Sequence, residues 1–269
     1  MQERKKTALR WDGQAFVASR DLIAVEEPLE IRLVGENGWQ QSISITMRSP
    51  GRDPELAVGF LWAEGVVRDR SAILHAESCT SSTNVVKVTL VKEALSGLER
   101  LERKFVQSSS CGVCGKTSLE ALKQEGRAPT ECEAGVDPLL LGSLPDIMRE
   151  AQRSFQKTGG LHAAGLFKID GTFLHAAEDV GRHNAMDKLI GWGLDEVGED
   201  WSGHILVLSG RASFELVQKA ISVRVPIVAS VGAPSTLAVD LAEEFNITLA
   251  GFVRGKSFNV YTHPHRIQI

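Results

Sequence analysis

The feature that most constrains this chain lies in its last third. An apolar, β-branched run, His204-Ile-Leu-Val-Leu208, is followed by a helical pattern from Phe214 to Val223. A second run, Pro226-Ile-Val-Ala-Ser230, leads to a helical pattern from Thr236 to Phe245 and a third run from Ile247 to Val253. Strands this uniformly apolar have no wet face. Alternating with helices, they predict a parallel sheet covered on both sides. Upstream, Leu161 to Ile169 and Thr172 to Ala177 read as two strands joined by Asp170-Gly171, a dipeptide that accepts the positive φ of a hairpin turn. A helix is expected after His183, and another from Pro145 to Lys157, ended by Thr158-Gly159-Gly160.

The N-terminal part has a different grammar. Residues 1–20 are polar and read as a flexible arm. Residues 21–105 read as β-rich: Leu29 to Val34 and Ser42 to Thr46 alternate around Glu36-Asn37-Gly38, a hairpin signal, and Asn84 to Val91 is a further strand. Asp53-Pro54 opens a helix, with Asp53 as the expected N-cap. Residues 106–136 are small and polar and read as a mobile loop, with a short helix near 119–123. Residues 137–269 form the α/β portion.

Composition narrows the classes. Apolar residues make up 43% of the chain, enough for a core and too many for a disordered chain. No stretch approaches the roughly 18 to 20 apolar residues of a spanning helix, so no membrane is expected. A net charge of −4 argues against a global grip on nucleic acid but leaves room for a local basic pocket.

Of the four cysteines, Cys111 and Cys114 stand two residues apart in Ser-Ser-Ser-Cys-Gly-Val-Cys-Gly-Lys116. Gly112 and Gly115 leave backbone amides approachable, and Lys116 adds positive charge. Both favour the thiolate, the nucleophilic form. Three chemistries are open to the pair. Structural zinc needs four ligands, and no second Cys pair or Cys/His pair accompanies this one. A dithiol redox centre belongs at a helix start in a thioredoxin-like βαβ unit, unlike this Ser- and Gly-rich stretch. A nucleophile that receives sulfur and passes it on suits a swinging loop. Cys79 and Cys132 are expected to be bystanders.

Two strand-to-helix junctions carry small residues and unpaired amides: Leu208-Ser209-Gly210-Arg211-Ala212-Ser213 and Ser230-Val-Gly232-Ala-Pro234-Ser235. Adjacent helix starts at one sheet edge bind phosphate, and Arg211 adds a charge-assisted contact. Simple capping by Ser213 and Ser235 has the same signature. Between a strand and a helix, Glu178 to Lys188 brings Gly181, Arg182 and His183 to the same edge, although an acidic helix start looks similar. His162, in Thr158-Gly-Gly-Leu-His162-Ala-Ala, is either a core histidine or part of a site. Zinc deaminases place His-x-Glu before a Pro-Cys-x-x-Cys pair. Here Ala164 stands where the glutamate would be and the Cys pair comes first, so deaminase chemistry is not expected. Phe252-Val253-Arg254-Gly255-Lys256-Ser257 offers a ring for stacking and two cations for phosphates, or else a basic turn between two strands.

Taken in order, Cys111-Gly-Val-Cys114-Gly-Lys, Thr158-Gly-Gly-Leu-His-Ala-Ala, Glu178-Asp-Val-Gly-Arg-His-Asn-Ala, Ser209-Gly-Arg211 and Ser230-Val-Gly-Ala-Pro-Ser resemble the formate dehydrogenase accessory sulfurtransferases of the FdhD family. The resemblance covers nearly all of the chain after the arm. It implies a cytidine-deaminase-like α/β fold, a mixed sheet covered by helices, without deaminase activity. It implies a carrier of sulfur from a cysteine desulfurase to the molybdenum cofactor, in its bis(molybdopterin guanine dinucleotide) form, before insertion into formate dehydrogenase. By position, Cys111 is implied to bear the persulfide with Cys114 assisting, and Phe252 to Ser257 to contact the cofactor. Gly181, Arg182, His183, Ser209, Gly210 and Arg211 complete the expected cofactor-binding set, with no metal ligands and with GDP as a mimic of the cofactor. A homodimer working in the cytoplasm is implied as well. The competing reading is a chaperone for the molybdenum cofactor or a nucleotide, with structural zinc at the Cys pair.

Overall fold

A computed structural model of the chain describes residues 2–36, 38–80, 82–95, 132 and 135–268. The pair Cys111/Cys114 and the helix expected near 119–123 lie outside the described residues, as does nearly all of the loop expected over 106–136.

Strands β1 (Glu3–Trp11) and β2 (Phe16–Ala24) pair antiparallel along their full length, where a loose arm was expected. Polar composition rules out a buried core here, not a hydrogen-bonded ladder. Lys6 faces Asp21 across the ribbon, and the Asp12 carboxylate accepts the amides of Gln14 and Ala15 at 2.9 Å in the turn.

Strands β3 (Glu27–Gly35) and β4 (Gln40–Arg48) form the expected hairpin. With β5 (Ile73–Ser78) and β6 (Val85–Leu90) they make a four-stranded sheet in the order β4-β3-β6-β5. Its inner face is set by strict alternation, which buries Leu29, Ile31, Leu33, Val86, Val88 and Leu90. Helix α1 (Asp53–Ala63) packs among them. Its N-cap is Arg52, in the left-handed conformation, and not the expected Asp53. Asp53 is committed elsewhere: the buried Arg48 guanidinium grips its carboxylate at 3.0 and 2.8 Å. A guanidinium taken out of water needs that partner more than a helix end needs a cap. A short helix, α2 (Lys92–Leu95), follows β6.

Helix α3 (Pro138–Ala151) starts seven residues earlier than the expected Pro145, capped by Asp137, whose carboxylate accepts the Leu139 and Leu140 amides at 2.8 and 2.9 Å. It breaks at Gln152 into α4 (Arg153–Thr158), which Gly159 closes at φ 65°. The second sheet has six strands in the order β12-β11-β10-β9-β7-β8. β9 (His204–Leu208), β10 (Ile227–Ser230) and β11 (Thr248–Arg254) are parallel, as expected. β7 (His162–Lys168), β8 (Phe173–Asp179) and β12 (Ser257–Thr262) run antiparallel to their neighbours, so the sheet is mixed. Leu141, Leu144 and Met148 of α3 seal one face against Phe167, Val207 and Val253. Helices α5 (Arg182–Glu196), α6 (Phe214–Ser222) and α7 (Thr236–Glu244) seal the other.

The two sheets meet through α1 and α5. A Cβ at Gly59 would lie 1.9 Å from the Asp187 carbonyl oxygen, and one at Gly191 1.9 Å from that of Glu55. The helix backbones therefore touch, and only glycine permits it. Trp62 adds an indole hydrogen bond to the Ser222 carbonyl at 2.9 Å. No helix among the described residues is long and apolar enough to cross a membrane.

Candidate functional site

Topology gathers the sequence motifs at one edge of the six-stranded sheet. The parallel β9 and β10 end there at Leu208 and Ser230. β7 runs the other way and begins there at His162, which lies opposite Asp179 at the end of β8. The segments that follow are stitched together by backbone. The Ala163 amide donates to the Ser209 hydroxyl at 2.8 Å, and the Ser209 amide to the Ala163 carbonyl at 3.0 Å. The Gly232 amide donates to the Gly210 carbonyl at 2.9 Å, and the Phe252 amide to the Gly232 carbonyl at 3.1 Å. His162, Gly181, Arg182, His183, Ser209, Gly210, Arg211 and Phe252 thus come together at one sheet edge, which forms a crevice.

Residues 253–257 sit differently. Val253 is fully buried in the core, because strand alternation turns it opposite to its neighbours, so any contact it makes with a ligand is through backbone. Arg254, Gly255, Lys256 and Ser257 form the exposed turn between β11 and β12, with Arg254 paired to Ser257 and the Gly255 carbonyl packed on Gly142 of α3. Phe252, by contrast, stands at the crevice with φ 57° and 45% of its surface exposed.

The helix starts differ as well. Ser235 caps α7 in the ordinary way, accepting the Ala238 amide. Ser213 occupies the N-cap of α6 but makes no capping bond. Its hydroxyl, Arg182 Nε and His183 Nε2 are buried polar atoms with no hydrogen-bond partner among the described residues. Such atoms are rare in folded proteins, and of the four among the described residues three lie at this edge, the fourth being His204 Nδ1 at the far end of β9. His183 Nε2 lies 3.8 Å from the Glu215 carboxylate. Burial, reinforced by the Arg182 and Lys219 charges, pushes the His183 imidazole down to about 4. Burial and Arg182 lower His162 too. Both rings are neutral at neutral pH, so each presents one donor and one acceptor.

Beneath the crevice lies a buried network that sequence reasoning missed. Asp179 accepts the Ser49 amide at 3.0 Å, the Gly181 amide at 2.8 Å and the Asn184 side-chain amide at 3.2 Å, and pairs with Lys188 at 2.7 Å. Lys188 also donates to the Ser49 carbonyl at 2.8 Å, and Asn184 to the Met47 carbonyl at 2.7 Å. A second buried pair, Asp187–Lys219 at 2.6 Å, ties α5 to α6. Glu178 accepts the Ser154 and Phe155 amides at the start of α4. Of the polar segment 178–188, then, the carboxylates and Lys188 hold the fold, while Arg182 and His183 face the crevice. The only hint in the sequence was the density of charge at a strand-to-helix passage, where half of it had to be buried. Cys79 and Cys132 are both half-buried. The carbonyl of Cys132 accepts Arg266 Nε at 2.9 Å. On the α3 side, the crevice opens into a cavity of about 370 Å³ that includes His162 and Ser209 in its wall.

The sequence pattern of the FdhD/NarQ family matches residues 24–268. Proteins named sulfur carrier protein FdhD are similar along their whole length. That of Mycolicibacterium paratuberculosis is 46% identical, over 95% of this chain and 94% of its own. That of Streptomyces avermitilis is 46% identical over 99% and 96%. That of Thermoplasma volcanium is 42% identical over 98% and 95%. A crystal structure from Desulfotalea psychrophila, assigned as a formate dehydrogenase accessory protein, superimposes with a TM-score of 0.78 at 22% identity over 100% of both chains, so the fold is shared.

Proposed function

The chain belongs to the FdhD/NarQ family, and from that premise we propose that it carries sulfur, held as a persulfide on Cys111, from a cysteine desulfurase to the bis(molybdopterin guanine dinucleotide) form of the molybdenum cofactor before that cofactor enters formate dehydrogenase. The observation that carries this reading is the crevice at the sheet edge. Its orphan polar atoms, its neutral imidazoles and the start of α6 suit a large phosphate-bearing heterocyclic substrate. Phe252 adds to this. A non-glycine residue in the left-handed region is disfavoured by roughly 1–3 kcal/mol and persists where its surroundings dictate it. Its ring is 45% exposed at the sheet edge, where a purine or pterin can stack. Arg211, Arg254 and Lys256, all exposed, supply charge for the diphosphates.

Gly112, Gly115 and Lys116 favour the thiolate at Cys111, and Cys114 assists it. Sulfane sulfur arrives on that thiolate and departs from it, so Cys111 ends as it began. The six-stranded sheet serves as a cytidine-deaminase-like scaffold in which Ala164, fully buried, replaces the proton-shuttling glutamate. A homodimer, a cytoplasmic site of action and binding of GDP as a mimic of the cofactor belong to the same proposal.

The test is intact-mass analysis after incubation with a desulfurase and cysteine. A gain of about 32 Da that a reductant removes is expected, as for one added sulfur on a reactive cysteine. Cys111→Ala is expected to show no gain and to abolish sulfur transfer, with GDP affinity nearly unchanged. Activation of formate dehydrogenase by that variant would refute the proposal. Stoichiometric zinc with both thiols blocked would favour the chaperone reading instead.

A further inference from the structure

Helices α5 and α6 face each other through four side chains at matched spacing. His183 and Asp187 lie one turn apart on α5, and Glu215 and Lys219 lie one turn apart on α6. They meet as two rungs. The lower rung is closed: Lys219 Nζ donates to the Asp187 carboxylate at 2.6 Å, and both side chains are buried. The upper rung is open: His183 Nε2 stands 3.8 Å from the Glu215 carboxylate, beyond hydrogen-bond reach, and has no hydrogen-bond partner among the described residues. The lower rung does not belong to α5 and α6 alone. The Lys219 ammonium also lies 3.7 Å from the carboxylate of Glu64, the C-cap of α1, and 5.8 Å from the centre of the Phe60 ring on that helix. Positive charge is favoured at a helix C-terminus, and a buried ammonium holds its place because leaving its partners is unfavourable. α1 is itself locked to α5 where Gly59 and Gly191 let the backbones touch. Lys219 is therefore fixed from three helices, and with it the distance between the starts of α5 and α6. That distance decides the use of His183. The one proton that Nε2 can carry serves an acceptor on a ligand or the Glu215 carboxylate, not both. An approach of about 1 Å would bring the upper rung to ordinary hydrogen-bond length.

We propose that Lys219 is a positioning residue for the crevice: held by Asp187 and by the end of α1 at Glu64, it keeps α5 and α6 at the spacing that leaves His183 Nε2 to a ligand and out of reach of Glu215. The charges around the ring act in the same sense. Burial, Arg182, Lys219 and His162 all disfavour an imidazolium at His183, and Glu215 favours it. Burial also raises the Asp187 carboxyl to about 6, against the pull of Lys219, so Lys219→Met leaves an acid ready to take up a proton in place of its lost partner. The inference rests on the reading of the crevice as the cofactor site only for its ligand.

Two measurements on the full chain test it. The first is NMR titration of the His183 ring, identified by its absence in His183→Gln, and it needs no ligand. In Lys219→Met the ring is expected to titrate about one pH unit or more above the parent, and adding Glu215→Ala is expected to take back most of that rise. In the parent, Glu215→Ala is expected to move the ring less than about half as far. An effect of Glu215→Ala that is equal in the two backgrounds means only a lost charge, and overturns the proposal. The second is calorimetric titration with GDP. Lys219→Met is expected to weaken GDP roughly tenfold, the loss of one charge-assisted hydrogen bond. Lys219→Met/Glu215→Ala is expected to recover to within about twofold of Glu215→Ala alone. A merely structural role predicts no such rescue. If Lys219→Met does not fold, Asp187→Leu/Lys219→Met, an apolar pair in place of the ionic one, carries the same two expectations. GDP affinity indifferent to Lys219, or lost and not rescued by Glu215→Ala, also overturns the proposal, and leaves the crevice reading intact. A ring that titrates as expected in a protein that binds no GDP supports the positioning role and sinks the crevice reading alone.

Discussion

The four-stranded and six-stranded sheets bury similar runs of Val, Ile and Leu, yet the crevice and its cavity are built on the six-stranded one. Connection explains the difference. β3 and β4 are joined by a tight turn, and the connection onward to β5 holds one long helix, α1, so no group of helix starts gathers at this sheet. The parallel strands β9, β10 and β11 cannot be joined that way. Each crossover inserts a helix, and the starts of those helices fall together at one edge. The smaller sheet is nevertheless part of the site's foundation. Its Thr46, Met47 and Ser49 reach across to Asn184, Asp179 and Lys188 under the crevice. One sheet presents the polar groups at the crevice, and the other fixes the turn from which they project.

That division of roles can be broken by experiment. The largest effect is expected at the brace. Asp179→Ala strands the buried Lys188 charge and should lower stability by about 3–5 kcal/mol, read from urea midpoints. A loss below about 1 kcal/mol would mean that the small sheet does not brace the crevice. Next comes the helix crossing. Gly191→Ala drives a methyl group into the Glu55 carbonyl and should lower stability by about 1–3 kcal/mol, with GDP affinity of the folded protein preserved.

A smaller effect follows from His183. Its imidazole is held at about 4 in the fold, below the roughly 6.5 of an unfolded histidine. Above the unfolded value neither state binds the proton. As pH falls from there toward about 4, the unfolded chain takes it up first, so stability declines with acid. Thermal midpoints should fall across that window, and His183→Gln should flatten the slope. A slope unchanged by the substitution would assign the effect to other groups. The smallest change in stability is expected at the exposed turn. Arg254→Ala and Lys256→Ala should stay within about 0.5 kcal/mol of the parent. They should weaken GDP binding, more at low ionic strength than at high.

Much of the larger sheet was legible in the sequence because its strands are unbroken apolar runs between clear helix signals. His204 to Leu208 matches the observed strand end to end. The ribbon β1–β2 was not legible, since both its faces carry charge and nothing in the alternation points to a core. The start of α3 was legible but misplaced: Asp137-Pro138 repeats the Asp-Pro signal that opened α1, and Pro145 drew the boundary inward instead. At the site, the glycine, arginine and histidine residues singled out in the sequence fall along one edge of the larger sheet, and what they bind is a matter for the titrations above. The Asp179–Lys188 pair could not be read from sequence. Their roles depend on burial between elements that are far apart in the chain, and a buried polar residue looks like an exposed one when only its neighbours in sequence are known.

Ser49 and Asp179, bonded at 3.0 Å, are separated by 130 positions along the chain. Neither stretch is a finished module. A fragment that ended between them would leave Lys188 without the Ser49 carbonyl and the crevice turn without its anchor. Exchange between relatives is freer: any residue but proline at position 49 supplies the amide and the carbonyl, and only the Ser49 hydroxyl, which accepts the Val180 amide at 3.1 Å, depends on the parent.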